Sequence, residues 1–251
     1  MLLLIDTAQE TGTVALSKDG LVLFSEENKI AKEHAGWLYD AITRLLQKAD
    51  TTIRDMEAIA VVAGPGSYTG LRVGMAAAKG FCYALKVPLI AQNTLRVMAE
   101  SMIPVAEEKK ALICPLIDAR RDEVFTALYT LNAERSTLNA ESQPSSANAS
   151  AGKAANQLPT ANCQLSIVLP PQALILDKTA FENTLSRDRI VFSGSGAAKW
   201  EKITNSPNAF FIPQQNMIQA FATLAHRDFT SKAWADPVYS EPVYLKEFFS
   251  Y

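Results

Sequence analysis

The stretch "AVVAGPGSYTGLRVGMAAAKGFCYAL", residues 60–85, decides the fold because it joins an apolar run to a long helix through glycines and one proline. The residues that lead into it, "AIAVVA" at 58–63, are apolar without a break and β-branched at three positions. This composition predicts a strand covered on both faces. The glycine turn follows, and a helix is predicted from there to about Leu85.

The glycine turn has two interpretations, a phosphate-binding loop or a device for close packing. A phosphate loop needs backbone N–H groups directed at an anion, commonly with a lysine. The segment lacks the GxxxxGK[ST] pattern, Pro65 has no N–H, and Gly70 comes one place too late for the dinucleotide fingerprint. Close packing explains more of these residues than phosphate binding does.

Two rows of small residues line the predicted helix, and each row has a spacing of four. A glycine inside a helix costs about 0.5–1 kcal/mol relative to alanine, so several of them need a geometric reason. A helix face that carries only Gly and Ala lets the helix approach a sheet of the same chain, or another subunit, closely. The rows are Gly70, Gly74 and Ala78, and Ala76, Gly80 and Ala84.

A pattern of strand, acid, turn and strand occurs twice. "LLLIDTAQETGTVAL" at 2–16 contains Asp6, and "ALICPLIDARRDEVFTALYTL" at 111–131 contains Asp118. Asp19-Gly20, between two alternating apolar runs, adds a hairpin signal after the first unit. The repetition predicts a duplicated architecture with two related lobes.

Composition and charge limit the function. The 251 residues carry 24 basic and 26 acidic side chains without a basic block, so we expect the isolated chain to bind tRNA weakly. Three cysteines without CxxC spacing and an N-terminus without a leader pattern predict a cytoplasmic protein with reduced thiols and no membrane association. Residues 132–166 are rich in Asn, Ala and Ser, which predicts a low-complexity surface insertion.

Four motifs together resemble one family, the bacterial TsaB (YeaZ) accessory subunits of tRNA threonylcarbamoyladenosine synthesis. They are the glycine segment at 64–85, the opening "LLLIDTAQETGTVAL", "IDARRDEVFTALY" at 117–129 and "PVYLKEF" at 242–248. The resemblance implies an α/β, two-lobed actin-like ATPase fold, known as ASKHA, built from a duplicated ribonuclease H-like unit. It also implies a first lobe at 1–105 and a second at 106–251.

The resemblance implies a non-catalytic scaffold rather than an enzyme. Such a subunit supports the catalytic paralogue TsaD, which forms threonylcarbamoyladenosine at position 37 of tRNAs reading codons that start with A. The implied partners are a TsaD-like subunit, a TsaE-like ATPase, tRNA through the complex, and a second copy as an alternative. An active ATP-dependent phosphotransferase or acyltransferase of the same fold is the alternative function, and metallopeptidase is a third interpretation.

The resemblance also bears on metal binding. TsaD places two metal-binding histidines shortly after the glycine segment, where this chain has Thr94 and Met98. A hydroxyl and a thioether are poor replacements for two imidazoles. The only histidines, His34 and His226, lie far from that stretch, so we expect no metal.

A nucleotide site is the feature of this fold that the sequence supports least. Gln9 and Glu10 occupy the first phosphate turn, and Glu10 would repel a phosphate. We therefore expect no cofactor, while weak ATP or ADP binding stays open. The alternative also stays open that Asp6 and Asp118 only end their strands and bind N–H groups of the turns. The positions that match a vestigial site are Asp6, Thr7, Asp118, Gly194, Ser195 and Gly196.

Partner binding is assigned by the resemblance to two helices of the first lobe. In the family, these helices meet their counterparts on the catalytic paralogue in a helical bundle. We predict that the glycine-rich helix does so through its first row of small residues. The predicted partner-binding residues are Trp37, Leu38, Ala41, Leu45, Gly70, Gly74 and Ala78.

Overall fold

A computed structural model describes residues 1–28, 34–133 and 163–246. The described residues form two five-stranded sheets with helices between and outside them. The strands are β1 Leu2–Asp6, β2 Gly12–Lys18, β3 Leu21–Asn28, β4 Ala58–Gly64, β5 Leu89–Asn93, β6 Leu112–Asp118, β7 Glu123–Ala133, β8 Cys163–Ile175, β9 Ile190–Ser193 and β10 Ala209–Phe211. The helices are α1 His34–Lys48, α2 Tyr68–Leu85, α3 Thr94–Ser101, α4 Ile103–Lys109, α5 Glu182–Leu185, α6 Ala197–Glu201 and α7 Ile218–Thr230.

The first sheet has the strand order β3-β2-β1-β4-β5. β1 is antiparallel to β2 and parallel to β4, so that Leu3 lies between Leu16 and Ile59. The β2–β3 hairpin turns at Asp19 and Gly20, whose φ angles are 52° and 78°. Two consecutive positive φ angles match the twist of the strands, and the predicted hairpin is confirmed.

The second sheet repeats the first. Its order is β10-β9-β6-β7-β8, with β6, β7 and β8 antiparallel and β6, β9 and β10 parallel. In both sheets the first strand of the unit is central, a hairpin extends on one side, and two parallel strands extend on the other. This repetition confirms the predicted two-lobed α/β fold.

Two helices, α3 and α7, lie between the sheets. Their apolar side chains share one core with the inner faces of both sheets, where Leu4, Met98, Tyr129, Val191 and Phe221 are all at most 2% exposed. Burying a large apolar side chain stabilises a fold by about 1.5–3 kcal/mol, so this shared core couples the lobes. α7 packs on the first sheet although it follows the second in sequence, and the predicted boundary at 105/106 stays a prediction.

The outer face of each sheet has its own helices. α1 and α2 cover the first sheet and pack Leu38, Leu45 and Met75 against its strands. α5 and α6 cover the second sheet, where Phe192 and Trp200 form an edge-to-face pair. α1, α2 and α6 carry apolar residues three or four apart, which explains why they form and which side they bury.

Two strands extend into the ends of the predicted insertion at 132–166. Residues 132–133 belong to β7 and residues 163–166 belong to β8, and the remaining 134–162 lie outside the described residues. The tail after α7 docks on the first lobe. Ala235 N–H donates to Leu89 O at 2.8 Å, and Val243 N–H donates to Ala63 O at 2.7 Å.

Candidate functional site

Asp6 ends β1 at the cleft between the lobes. Only 8% of this residue is exposed, and one carboxylate oxygen accepts the Ala8 N–H at 2.9 Å. Burial raises the pKa of Asp6 to about 6, against the smaller opposing effect of that hydrogen bond. The neighbouring Thr7 is fully buried and donates its hydroxyl to Gly70 O at 2.7 Å. This hydrogen bond holds the first turn, residues 7–11 between β1 and β2, to the start of α2.

The glycine turn lies directly on this first turn. Ser67 N–H donates to Ala8 O at 2.7 Å, and a Cβ at Gly66 would lie 2.1 Å from the same oxygen. Across the cleft, Gln214 donates to Gln9 Oε1 at 2.8 Å, and Gln9 lies 3.0 Å from the Met217 sulfur. Polar groups that could meet phosphates are therefore engaged with the chain itself.

The second turn, after β6, is built in a similar way. Asp118 accepts from Lys199 Nζ at 2.6 Å and from Arg120 N–H at 2.7 Å, and its own N–H donates to Ser195 Oγ at 3.0 Å. Partial burial raises the pKa of Asp118, but Lys199 and the Arg120 N–H outweigh it and hold the pKa below its usual value. Lys199 was not predicted, since its approach to Asp118 depends on how α6 packs.

The glycines of the second lobe meet neighbouring backbone and side chains. Gly194 has φ of 108°, and a Cβ there would lie 2.4 Å from Leu116 O and 2.5 Å from the end of Met98. Gly196 donates its N–H to Leu116 O at 2.9 Å. The second turn therefore brings together Asp118, Gly194, Ser195 and Gly196, while Asp6 and Thr7 lie on the first.

The residues present do not fit the phosphates of a nucleotide at the first turn. Asp6 and Glu10 supply carboxylates there, and the space above Ala8 is taken by Gly66 and Ser67. Carboxylates repel phosphate at short range, and the engaged N–H groups cannot donate to it. ATP or ADP binding was predicted to be weak at most, and it stays a prediction.

Thr94 and Met98, which stand where TsaD has its two metal-binding histidines, are buried. Thr94 and Met98 face the shared core on α3 and are 0% and 2% exposed. Among the described residues, the buried Thr94 hydroxyl has no hydrogen-bond partner, and Met98 packs toward Gly194. Within residues 1–28, 34–133 and 163–246, no three His, Cys, Asp or Glu side chains gather as a metal site would require.

We expect the purified protein to contain less than a tenth of an equivalent of zinc or iron, because no imidazole pair replaces Thr94 and Met98. Elemental analysis after extensive dialysis checks this. A matched Thr94→His/Met98→His variant controls for the method. One tightly held transition metal per wild-type chain would contradict the prediction.

Most of the predicted partner-binding residues of the two helices pack inside the chain. Leu38, Ala41, Leu45 and Ala78 are fully buried in the core of the first lobe, and Trp37 is half-buried against it. These side chains pack on their own sheet, and their assignment to a partner surface stays a prediction.

The glycines of the first row also lie against their own chain. A Cβ at Gly70 would lie 2.0 Å from Thr7 O, and one at Gly74 would lie 2.3 Å from Thr7 Oγ1. This row lets α2 approach β1 and the first turn. The placement of these two glycines in an intermolecular seam stays a prediction.

The second row of small residues faces outward instead. Ala76, Gly80 and Ala84 are exposed, and a Cβ at Gly80 would meet no described atom within 4 Å. Two aromatic residues flank the row: Tyr83 is 77% exposed, and Tyr39 of α1 packs on Phe81 with ring centroids 6.0 Å apart. We call Ala76, Gly80, Tyr83 and Ala84 the outer face of α2. Its signal was present in the sequence as the second row with a spacing of four.

The fold and the two turns together define a class, a two-lobed actin-like protein whose glycine turn packs on the turn between β1 and β2. None of the helices in the described part of the chain is long and apolar enough to cross a membrane. A family model described as TsaD, tRNA N6-adenosine threonylcarbamoyltransferase, matches residues 27–241. The chain belongs to this family.

Two curated relatives agree with the predicted resemblance. The chain is 34% identical over 128 residues to the tRNA threonylcarbamoyladenosine biosynthesis protein TsaB of Bacillus subtilis (strain 168), and 35% identical over 128 residues to TsaB of Escherichia coli (strain K12). Each match covers 51% of this chain and 54% of the relative. The chain thus spans about half the length of the curated relatives it matches.

Solved structures confirm the fold over nearly the whole chain. A Pseudomonas aeruginosa protein with similarity to peptidase YEAZ has a TM-score of 0.73 at 24% identity, covering 98% of this chain and 99% of the other. YeaZ from the same species has a TM-score of 0.68 at 23% identity, with 97% and 99% covered. The similarity to TsaB (YeaZ) predicted from the motifs is confirmed.

Proposed function

We propose that this chain is a non-catalytic accessory subunit that supports a TsaD-like catalytic subunit in forming threonylcarbamoyladenosine at position 37 of tRNAs reading codons that start with A. Family membership and the names of the TsaB relatives support the pathway. Because tRNA is modified where it is made, the proposal implies a cytoplasmic protein.

The observation that carries the non-catalytic role is the contact between the glycine turn and the first turn. Gly66 and Ser67 lie against Ala8 O, where an active member of an actin-like ATPase fold would need room for phosphates. Thr94 and Met98, in place of a histidine pair, support the same conclusion. Binding of a partner is the function that remains for such a chain.

The outer face of α2 is the surface that we assign to the catalytic partner. Small residues allow a close approach of another helix, and Tyr39 and Tyr83 beside them are the kind of large anchors that dominate interface energetics. A TsaE-like ATPase joins the same complex, and tRNA meets this chain only through it. Pairing of two copies through the same face is the alternative assembly.

Gly80→Arg should weaken binding of the catalytic subunit without unfolding the chain. Gly80 has open space around it, so the fold accepts a side chain, whereas a charged group on a close helix contact costs affinity. We expect the Kd for the TsaD-like subunit of the same organism to rise at least tenfold. Titration calorimetry measures the Kd, and circular dichroism checks the fold.

Ala198→Arg is the matched control, since Ala198 is an exposed small residue on α6 of the second lobe. It should bind the partner like wild type. If Gly80→Arg and Ala198→Arg bind equally well, the assignment of the partner to the outer face of α2 fails.

Reconstitution tests the function itself. The chain alone should form no modified nucleoside, and omission of the chain from a mixture of the TsaD-like subunit, the TsaE-like ATPase, ATP and tRNA should reduce its yield strongly. Mass spectrometry of digested tRNA measures the product. Turnover of ATP by the isolated chain would favour the phosphotransferase or acyltransferase alternative instead.

A further inference from the structure

The tail carries the same short motif twice. An acidic residue, proline, valine and tyrosine occur at 236–239 and again at 241–244. The two copies have different environments in the structure. The second copy docks on the first lobe, and the first copy projects from it.

The second copy is a structural element. Val243 N–H donates to Ala63 O, the Tyr244 ring lies 5.2 Å from the Tyr68 ring, and Arg72 Nε donates to Tyr244 Oη at 3.3 Å. These contacts attach the tail to the end of β4 and the start of α2. They account for the second copy without any partner.

The first copy forms a rigid turn. Asp236 accepts from Val238 N–H through its carboxylate at 2.7 Å and from Ser240 N–H through its carbonyl at 2.9 Å. Lys79 Nζ then donates to Val238 O at 3.2 Å and to Ser240 O at 3.1 Å. The turn is thus fixed to α2, yet Val238 is 72% exposed and Tyr239 is 81% exposed. Exposed apolar side chains on a preorganised turn lose little entropy on binding, which favours an interaction site.

The position of the turn connects it with the outer face of α2. Residues three or four apart share one side of a helix, so Lys79, which anchors the turn, lies beside Ala76 and Tyr83. The turn and the outer face therefore belong to one continuous surface along α2.

The exposed side chains of this surface suit a protein partner. The Arg72 guanidinium lies 4.1 Å from the Tyr68 ring centroid, and Lys86 Nζ lies 4.2 Å from that of Tyr83. Lys79 donates to two carbonyl groups. These three cations keep their charge, and the side chains exposed between them, Tyr83, Val238 and Tyr239, are apolar or aromatic. Apolar and aromatic groups of this kind suit the apolar face of a partner helix.

We propose that Val238 and Tyr239 form a second anchor point for the TsaD-like catalytic subunit, binding an apolar helix of that subunit together with the outer face of α2. The inference rests on the proposed function and adds a part of the interface that lies outside the two helices. The tail then has two roles, in which one copy of the motif holds the fold and the other binds the partner.

The test is a Val238→Ser/Tyr239→Ser variant of the full chain, titrated with the TsaD-like subunit of the same organism. Both side chains are exposed and the turn is held by backbone groups, so the thermal midpoint should stay within about 2 °C of wild type. We expect the Kd to rise at least tenfold, because tyrosine anchors carry much of an interface's affinity. Ile167→Ser/Val168→Ser on β8 is the matched control, since these residues are 57% and 51% exposed, and it should bind like wild type.

The outcomes separate this inference from the proposed function. If the tail variant binds within twofold of wild type while Gly80→Arg loses the partner, the inference is overturned and the proposed function stands. If wild type itself does not bind the subunit, both fail. A tail variant that changes only self-association, measured by sedimentation velocity, assigns the turn to a second copy and overturns the inference. Loss of affinity in the tail variant with normal binding by the β8 control supports it.

Discussion

Gly70→Ala should destabilise the protein by about 3 kcal/mol or more, near or beyond the upper end of the usual cost of overpacking. A Cβ at this position would lie 2.0 Å from the carbonyl oxygen of Thr7. The neighbour is backbone of the first turn and cannot rotate away, so either α2 or β1 must shift. Chemical denaturation followed by circular dichroism measures the loss, and the variant should also lose the Thr7 hydroxyl bond to Gly70 O.

Gly80→Ala in the same helix is the matched control, and it should increase the free energy of unfolding where Gly70→Ala lowers it. Its Cβ would meet nothing in the described structure, and alanine is favoured over glycine inside a helix by about 0.5–1 kcal/mol. We therefore expect a small stabilisation. Equal effects of the two substitutions would show that the first row does not pack on β1 and the first turn.

Asp6→Asn should remove a large pH dependence of stability. Burial raises the pKa of Asp6 to about 6 from an ordinary value of 3.8, so the folded state favours the protonated acid. The stability that this proton contributes is fully present below about pH 3.8 and is lost as the pH rises through about 6. By linkage the loss is about 3 kcal/mol. Asparagine keeps the oxygen that accepts the Ala8 N–H and carries no charge.

The difference in unfolding free energy between Asp6→Asn and wild type should therefore grow in favour of the variant between pH 4 and pH 7. Denaturant titrations at several pH values measure it. Asp118→Asn is a control of opposite sign, because its pKa is held below the usual value and its stabilising effect is present above about pH 3.8 and lost at lower pH. If the difference in unfolding free energy between Asp6→Asn and wild type stays constant across this range, the pKa of the buried Asp6 carboxyl is not raised.

Local patterns were sufficient to predict several of the elements and the duplication. The Asp19-Gly20 turn, the unbroken apolar run of β4 and the acids that end β1 and β6 each depend on neighbours in sequence. Backbone conformation and side-chain periodicity are properties of a few adjacent residues, so a sequence shows them directly. The order of strands in both sheets then follows from repeating one unit.

The face that each small-residue row of α2 presents was decided only by the tertiary structure. Both rows have a spacing of four and similar composition, so their sequence cannot say which row meets β1. The carbonyl and hydroxyl of Thr7, 63 residues from Gly70, determine it by leaving no room for a side chain on one row. The same holds for the raised pKa of Asp6 and for the exposed turn at Val238 and Tyr239. Burial, charge and steric exclusion arise from residues distant in the chain, and these become neighbours only when the sheets and helices pack.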